Sequence, residues 1–197
     1  HWSFPDGSTM TTTEPRVTHT FDTQGAQSIT LTLEDVQGYN TTTSVEVDVI
    51  DAQPPSAQLT ATPKQDVEVG VAPVVLNASQ STDNDGVANY SWAVGNGTTV
   101  TTTEPTIRHT YTTTGSVQPS VTVRDHSGNI NTTAVTVDVI DTTPPTATFD
   151  GPDTVTAGAS ATFSAANATD NHRIESFNWD LNGTTTTGET VSHTFSS

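Results

Sequence analysis

The chain repeats itself after ninety residues. Thr11-Thr12-Thr13-Glu14-Pro15 returns at positions 101–105, and Val47-Asp48-Val49-Ile50-Asp51 returns at 137–141. Pro54-Pro55 returns as Pro144-Pro145, and His19-Thr20-Phe21 as His109-Thr110-Tyr111. A third, slightly shifted copy follows. It carries Thr169-Asp170-Asn171 for Thr82-Asp83-Asn84, Trp179 for Trp2 and Trp92, and His193-Thr194-Phe195. A period of this length is one domain per copy, not the short unit of a solenoid. The frame predicts a complete domain over residues 54–143. Residues 1–53 read as the C-terminal part of one copy and 144–197 as the N-terminal part of another. Each partial copy would leave an open sheet edge, a hazard unless neighbouring sequence or a neighbouring subunit covers it.

Within a copy the hydrophobic period is two. Val45, Val47 and Val49 alternate with Glu46 and Asp48; Val135, Val137 and Val139 alternate with Thr136 and Asp138. Ile29, Leu31 and Leu33 alternate with Thr30 and Thr32, and Val121 and Val123 behave alike. Such alternation predicts strands with one buried and one wet face. Asp83-Asn84-Asp85-Gly86, Gly95-Asn96-Gly97 and Ser127-Gly128-Asn129 are turn sequences between them. No segment offers a helical stripe. About seven short strands per copy fit an immunoglobulin-like sandwich, so the expected class is all-β, in tandem. The junctions Asp51–Pro55 and Asp141–Pro145 are short. Paired prolines stiffen them, which favours a semi-rigid array over loose beads.

Composition excludes several functions. The chain holds 22 acidic and 5 basic residues, a formal charge of −17, and Lys64 is its only lysine. Neutralising phosphates needs Lys and Arg, so neither nucleic acid nor an anionic membrane is an expected partner. Such a surface repels itself in dilute salt, but about 1 M salt shortens the Debye length to about 3 Å and screens that repulsion. Acidic, lysine-poor surfaces suit a halophile, and a haloarchaeal source is the expectation. With no cysteine there is no disulfide, thiol nucleophile or thiolate metal site. No apolar run approaches a membrane span, so direct insertion by this segment is not expected.

Copy two contains Ser81-Thr82-Asp83-Asn84-Asp85-Gly86, then Tyr90-Ser91-Trp92 and Gly95-Asn96-Gly97. Pro105, His109-Thr110-Tyr111, Gly115 and Val121-Thr122-Val123-Arg124-Asp125 follow, then Gly128. In kind and order these residues resemble the PKD (polycystic kidney disease) domain. The other copies match over the parts present. Copy three has His172-Arg173 where copy two has Asp85-Gly86, and copy one has Phe4-Pro5-Asp6-Gly7 after its tryptophan. The resemblance implies non-catalytic Ig-like sandwiches of an extracellular protein, used as spacers, adhesion modules or accessory domains. Two settings are expected from it: a cell-surface filament, surface layer or adhesin, or an accessory spacer or substrate-binding region beside a secreted hydrolase. Neighbouring copies or domains of the same protein are the expected partners.

The residues themselves supply no enzyme. No nucleophile elbow and no zinc spacing occurs. The histidine of each His-Thr-aromatic recurs as a scaffold residue would, in a hydrogen-bonding role, and the repeated tryptophans read as core. Calcium is the one candidate cofactor. It takes six to eight hard oxygens from short acidic loops. Asp83, Asn84 and Asp85 supply three side-chain oxygens in a row, and Asp51 and Asp141 stand at the domain junctions. N-glycosylation sequons lie at Asn40, Asn77, Asn89, Asn96, Asn131, Asn167 and Asn182.

Overall fold

The computed structural model describes residues 1–196 and contains no helix among them. The first copy is a single sheet of four strands. β1 (Trp2–Ser3) and β2 (Thr9–Met10) form a small hairpin, and β3 (Gly25–Glu34) and β4 (Asn40–Val49) form a long one, in the order β2-β1-β3-β4. β3 and β4 pair antiparallel along their whole length, from Gly25 opposite Val49 to Glu34 opposite Asn40.

The second copy is a closed sandwich. Its strands are β5 (Thr60–Thr62), β6 (Val67–Glu68), β7 (Val74–Asn77), β8 (Val87–Ala93) and β9 (Thr99–Thr102). They continue with β10 (Thr106–His109), β11 (Gly115–Val117), β12 (Ser120–Asp125), β13 (Ile130–Ala134) and β14 (Val137–Ile140). One layer has the order β13-β12-β8-β9; β10-β7-β5 and β11-β14-β6 make the rest. The β14–β6 pair is parallel, with Ile140 beside Glu68. Between the layers lie Trp92, Leu76, Val74, Val121, Val123 and Val137, all fully buried. Inward residues alternate with outward ones along β7, β12 and β14, as the period of two requires. The Trp92 indole donates to Thr102 Oγ1 at 2.9 Å, and Thr102 Oγ1 donates on to the Glu104 carbonyl at 2.7 Å. The only polar atom of the largest core side chain is therefore satisfied.

The third copy has β15 (Ser160–Ser164), β16 (Asn178–Leu181), β17 (Thr184–Thr187) and β18 (Thr190–Thr194), paired as β15-β18 and β16-β17. Phe149, Phe163, Trp179 and Phe195 line a cleft of about 630 Å³ between the two strand pairs. Residues 144–196 contain no counterpart of β12 or β14, the strands whose valines fill this space in the second copy.

The first copy departs from the expected burial. Its alternation predicts one covered face on β3 and β4, yet Leu33, Val45 and Val47 are exposed. Residues 1–49 form only one layer, and a lone sheet has nothing to pack against, so neither face of β4 is covered.

The repeated histidines also differ from expectation. Each packs edge-to-face on the aromatic two residues later: His19 on Phe21 at 4.8 Å, His109 on Tyr111 at 4.7 Å and His193 on Phe195 at 4.5 Å. No side-chain hydrogen bond holds His109 among the described residues. In every copy the two side chains, two residues apart, form an aromatic pair. Burial lowers the pKa of His109, which favours the neutral ring.

Candidate metal centre

Two turns and one junction converge where the first copy meets the second. Asp51 lies two residues past the end of β4, in the linker. Asp83 lies in the turn before β8, and Asp125 ends β12. Because β12 and β8 are paired neighbours, the end of one and the approach to the other share one edge of the sandwich. The linker is pinned beside them: Asn129 Nδ2 donates to the Asp51 carbonyl at 3.2 Å and Asn131 Nδ2 to the Pro55 carbonyl at 2.9 Å. Carboxylate oxygens of Asp51, Asp83 and Asp125 therefore lie within 4.8 Å of one another.

Each carboxylate is part-used. Asp51 Oδ1 accepts from Gln53 N at 3.0 Å and Asn84 Nδ2 at 3.1 Å. Asp83 Oδ1 accepts from Asp85 N at 2.8 Å. Asp125 Oδ1 accepts from the amides of Gly128 and Asn129, and its Oδ2 from Asn129 Nδ2 at 2.8 Å. Asp51 Oδ2 and Asp83 Oδ2 are buried with no hydrogen-bond partner. Burial raises the Asp125 pKa, but its bonds from Asn129, Gly128 and Ser127 outweigh that and hold it below the usual range. Among the described residues, neither ion pair brings a basic side chain here: one joins His19 to Asp6, the other Arg173 to Glu175.

Three carboxylates this close repel unless a cation lies among them, and two buried oxygens without donors each carry a desolvation cost. Hard oxygens on short loops are the donor set calcium takes. The residues present fit that ion: Asp51, Asp83 and Asp125 would hold it, with remaining positions open to water or carbonyls.

The sequence candidates separate here. Asp51 and Asp83 meet. Asn84 is a neighbour whose amide donates to Asp51, so its Nδ2 is turned toward a carboxylate and not toward a metal. Asp85 Oδ2 accepts from Ser127 Oγ at 3.0 Å, outside the trio. Asp141 stands exposed at the second junction, accepting from Thr143 N at 3.3 Å. Asp125 was not singled out from sequence. Its trace there is the acid that closes a Val-x-Val-x-Asp strand, and Asp35 at the matching position of copy one shows the local role. Asp35 Oδ1 accepts from Gln37 N and Tyr39 N, closing its turn.

The sequons lie in varied settings. Asn96 and Asn182 occupy the tips of matching hairpins, β8–β9 and β16–β17, and are exposed. Asn40 is exposed at the start of β4. Asn131 is tied to Pro55, and Asn167 donates to Asp150 at 2.7 Å. Asn77 and Asn89 sit half-buried within strands.

Fold and junction together define tandem all-β sandwiches linked by short acidic connections. The PKD domain family model matches residues 1–49, 52–139 and 142–197, and the chain belongs to that family. PKD domains are non-catalytic modules that occur in extracellular proteins. Among solved structures, the chain is 28% identical to the PKD1 domain of Vibrio anguillarum Epp, covering 46% of this chain and 99% of that one, with a TM-score of 0.39. The PKD1 domain of the Vibrio cholerae metalloprotease PrtV is 29% identical, over 46% and 100%, with a TM-score of 0.38. A structure described by carbohydrate-binding modules of the β-sandwich superfamily is 26% identical, over 58% of this chain and 56% of its own length, with a TM-score of 0.43. No curated protein matches the chain. No helix among the described residues is long and apolar enough to cross a membrane.

Proposed function

We propose that the chain is a mechanical spacer in an extracellular surface protein of a salt-adapted, archaeal organism, with calcium bracing the joint between its first two domains. Its partners are neighbouring domains and copies of the same protein, in a filament, surface layer or adhesin. The observation that carries this reading is the position of the acidic trio. It joins a linker residue, Asp51, to two turns of the domain that follows, so an ion there ties the connection to the sandwich. The charge of −17 with one lysine supports a high-salt setting. The hairpin tips at Asn96 and Asn182 are the best-presented glycan sites, one each in the second and third copies.

Isothermal titration of calcium into the chelator-treated chain tests the metal. Saturable binding is expected, weakened roughly tenfold to hundredfold in Asp83→Asn, in line with the loss of one anionic ligand. Equal binding in parent and variant would mean that the trio does not hold the ion.

A further inference from the structure

We infer that Glu68 and Asn171 form a latch that fixes the second domain against the third. Glu68 is the last residue of β6, beside Ile140 of β14. It therefore stands where the chain leaves the second domain. Its carboxylate accepts from the linker at both threonines: from Thr142 Oγ1 at 2.7 Å, Thr143 Oγ1 at 2.9 Å, and their backbone amides at 3.1–3.3 Å. The same carboxylate accepts from Asn171 Nδ2, across the junction, at 2.9 Å.

Asn171 also donates to the Val69 carbonyl at 3.0 Å, so one amide group of the third domain is shared between two acceptors of the second. The receiving end is anchored in its own sandwich, since Val69 N donates to Ile140 O and Gly70 N to Tyr111 O. Contact is close enough that a Cβ on Gly70 would lie 3.1 Å from the Asn171 carbonyl oxygen. Hydrogen bonds to an ionised acceptor are roughly twice as strong as neutral ones. Rotation about the linker would break the Asn171 bonds and leave Glu68 holding the linker alone.

The asparagine belongs to the repeated Thr-Asp-Asn motif. At the first junction its counterpart, Asn84, donates to Asp51 of the linker. In each case this asparagine reaches out of its own domain, and at the second junction it does so without a carboxylate trio. The latch therefore needs no cation, and its failure would leave the calcium reading standing.

The test is the distribution of distances between spin labels on the two domains, measured by pulsed electron resonance in chelator at neutral pH. The chain has no cysteine, so Thr99→Cys and Thr185→Cys give the only labelling sites. A narrow distribution is expected for the parent. Glu68→Gln and Asn171→Ala should each broaden it about twofold or more, because domains without a fixed interface move freely. The double variant should be no broader than either single one, and Glu104→Gln, on an exposed loop of the second domain, should change nothing. Unchanged widths in Asn171→Ala with both domains folded would overturn the latch, even if Glu68→Gln disturbed folding. Equal broadening by Glu104→Gln would overturn it as well.

Discussion

Glu68 illustrates how far a few uncharged donors can shift a carboxyl group. The Thr142 hydroxyl lowers its pKa most, and although burial raises it, Asn171, Thr143 and the Thr142 amide bring it from 4.5 to about 2. The folded value is depressed, so the group stabilises the folded joint fully above the unfolded value of 4.5, and that contribution disappears as pH falls towards 2. Carbon-detected titration of the Glu68 carboxyl should show a midpoint near 2 in the parent and a clear move up towards 4.5 in Thr142→Val and Asn171→Ala. An ordinary midpoint in the parent would mean the contacts around Glu68 do not persist in solution. Asp125 differs in kind. Its bonds close its own turn, so it serves that turn before it serves any metal.

At the scale of elements, the strands of the second copy were the most legible part of the chain. Val121–Val123 and Val137–Val139 alternate in the sequence and are buried in the same alternation. Trp92 is the anchor of that core, fully buried and hydrogen-bonded to Thr102. Trp92→Ala should destabilise the central sandwich by ~3–5 kcal/mol, the usual cost of truncating a buried aromatic. Thermal unfolding would show it, and a loss under ~1 kcal/mol would mean that the tryptophan is not the core anchor. Two elements were illegible for physical reasons. β6 is two residues long, and its parallel pairing with β14 comes from a register that no local pattern encodes. The acidic trio draws on residues far apart in the chain, so turn chemistry marks Asp83 and junction position marks Asp51, but only the β12–β8 pairing brings in Asp125. Asp85 and Asp141 look equally acidic in sequence, but Asp85 turns to Ser127 and Asp141 stands at the second junction, so both lie outside the trio.

At the scale of the whole molecule, charge and joints govern behaviour. With a net charge of −17 the folded chain repels itself in dilute buffer. Raising potassium chloride from about 0.1 M to about 2 M in chelator should raise the unfolding temperature by several degrees as the Debye length falls from about 10 Å to under about 3 Å. A flat or falling dependence would argue against a salt-adapted surface. A spacer of the kind proposed transmits position only if its joints are set; the short linkers are held by Asn129 and Asn131 at one junction and by Glu68 at the other. Calcium bracing is read most directly from the distance distribution across the first joint, between labels at Thr43→Cys and Thr99→Cys, with and without calcium. A distribution that narrows on adding calcium, broadens again in chelator, and responds far less in Asp83→Asn is expected. A width indifferent to calcium, in a parent chain that binds the ion, would contradict it.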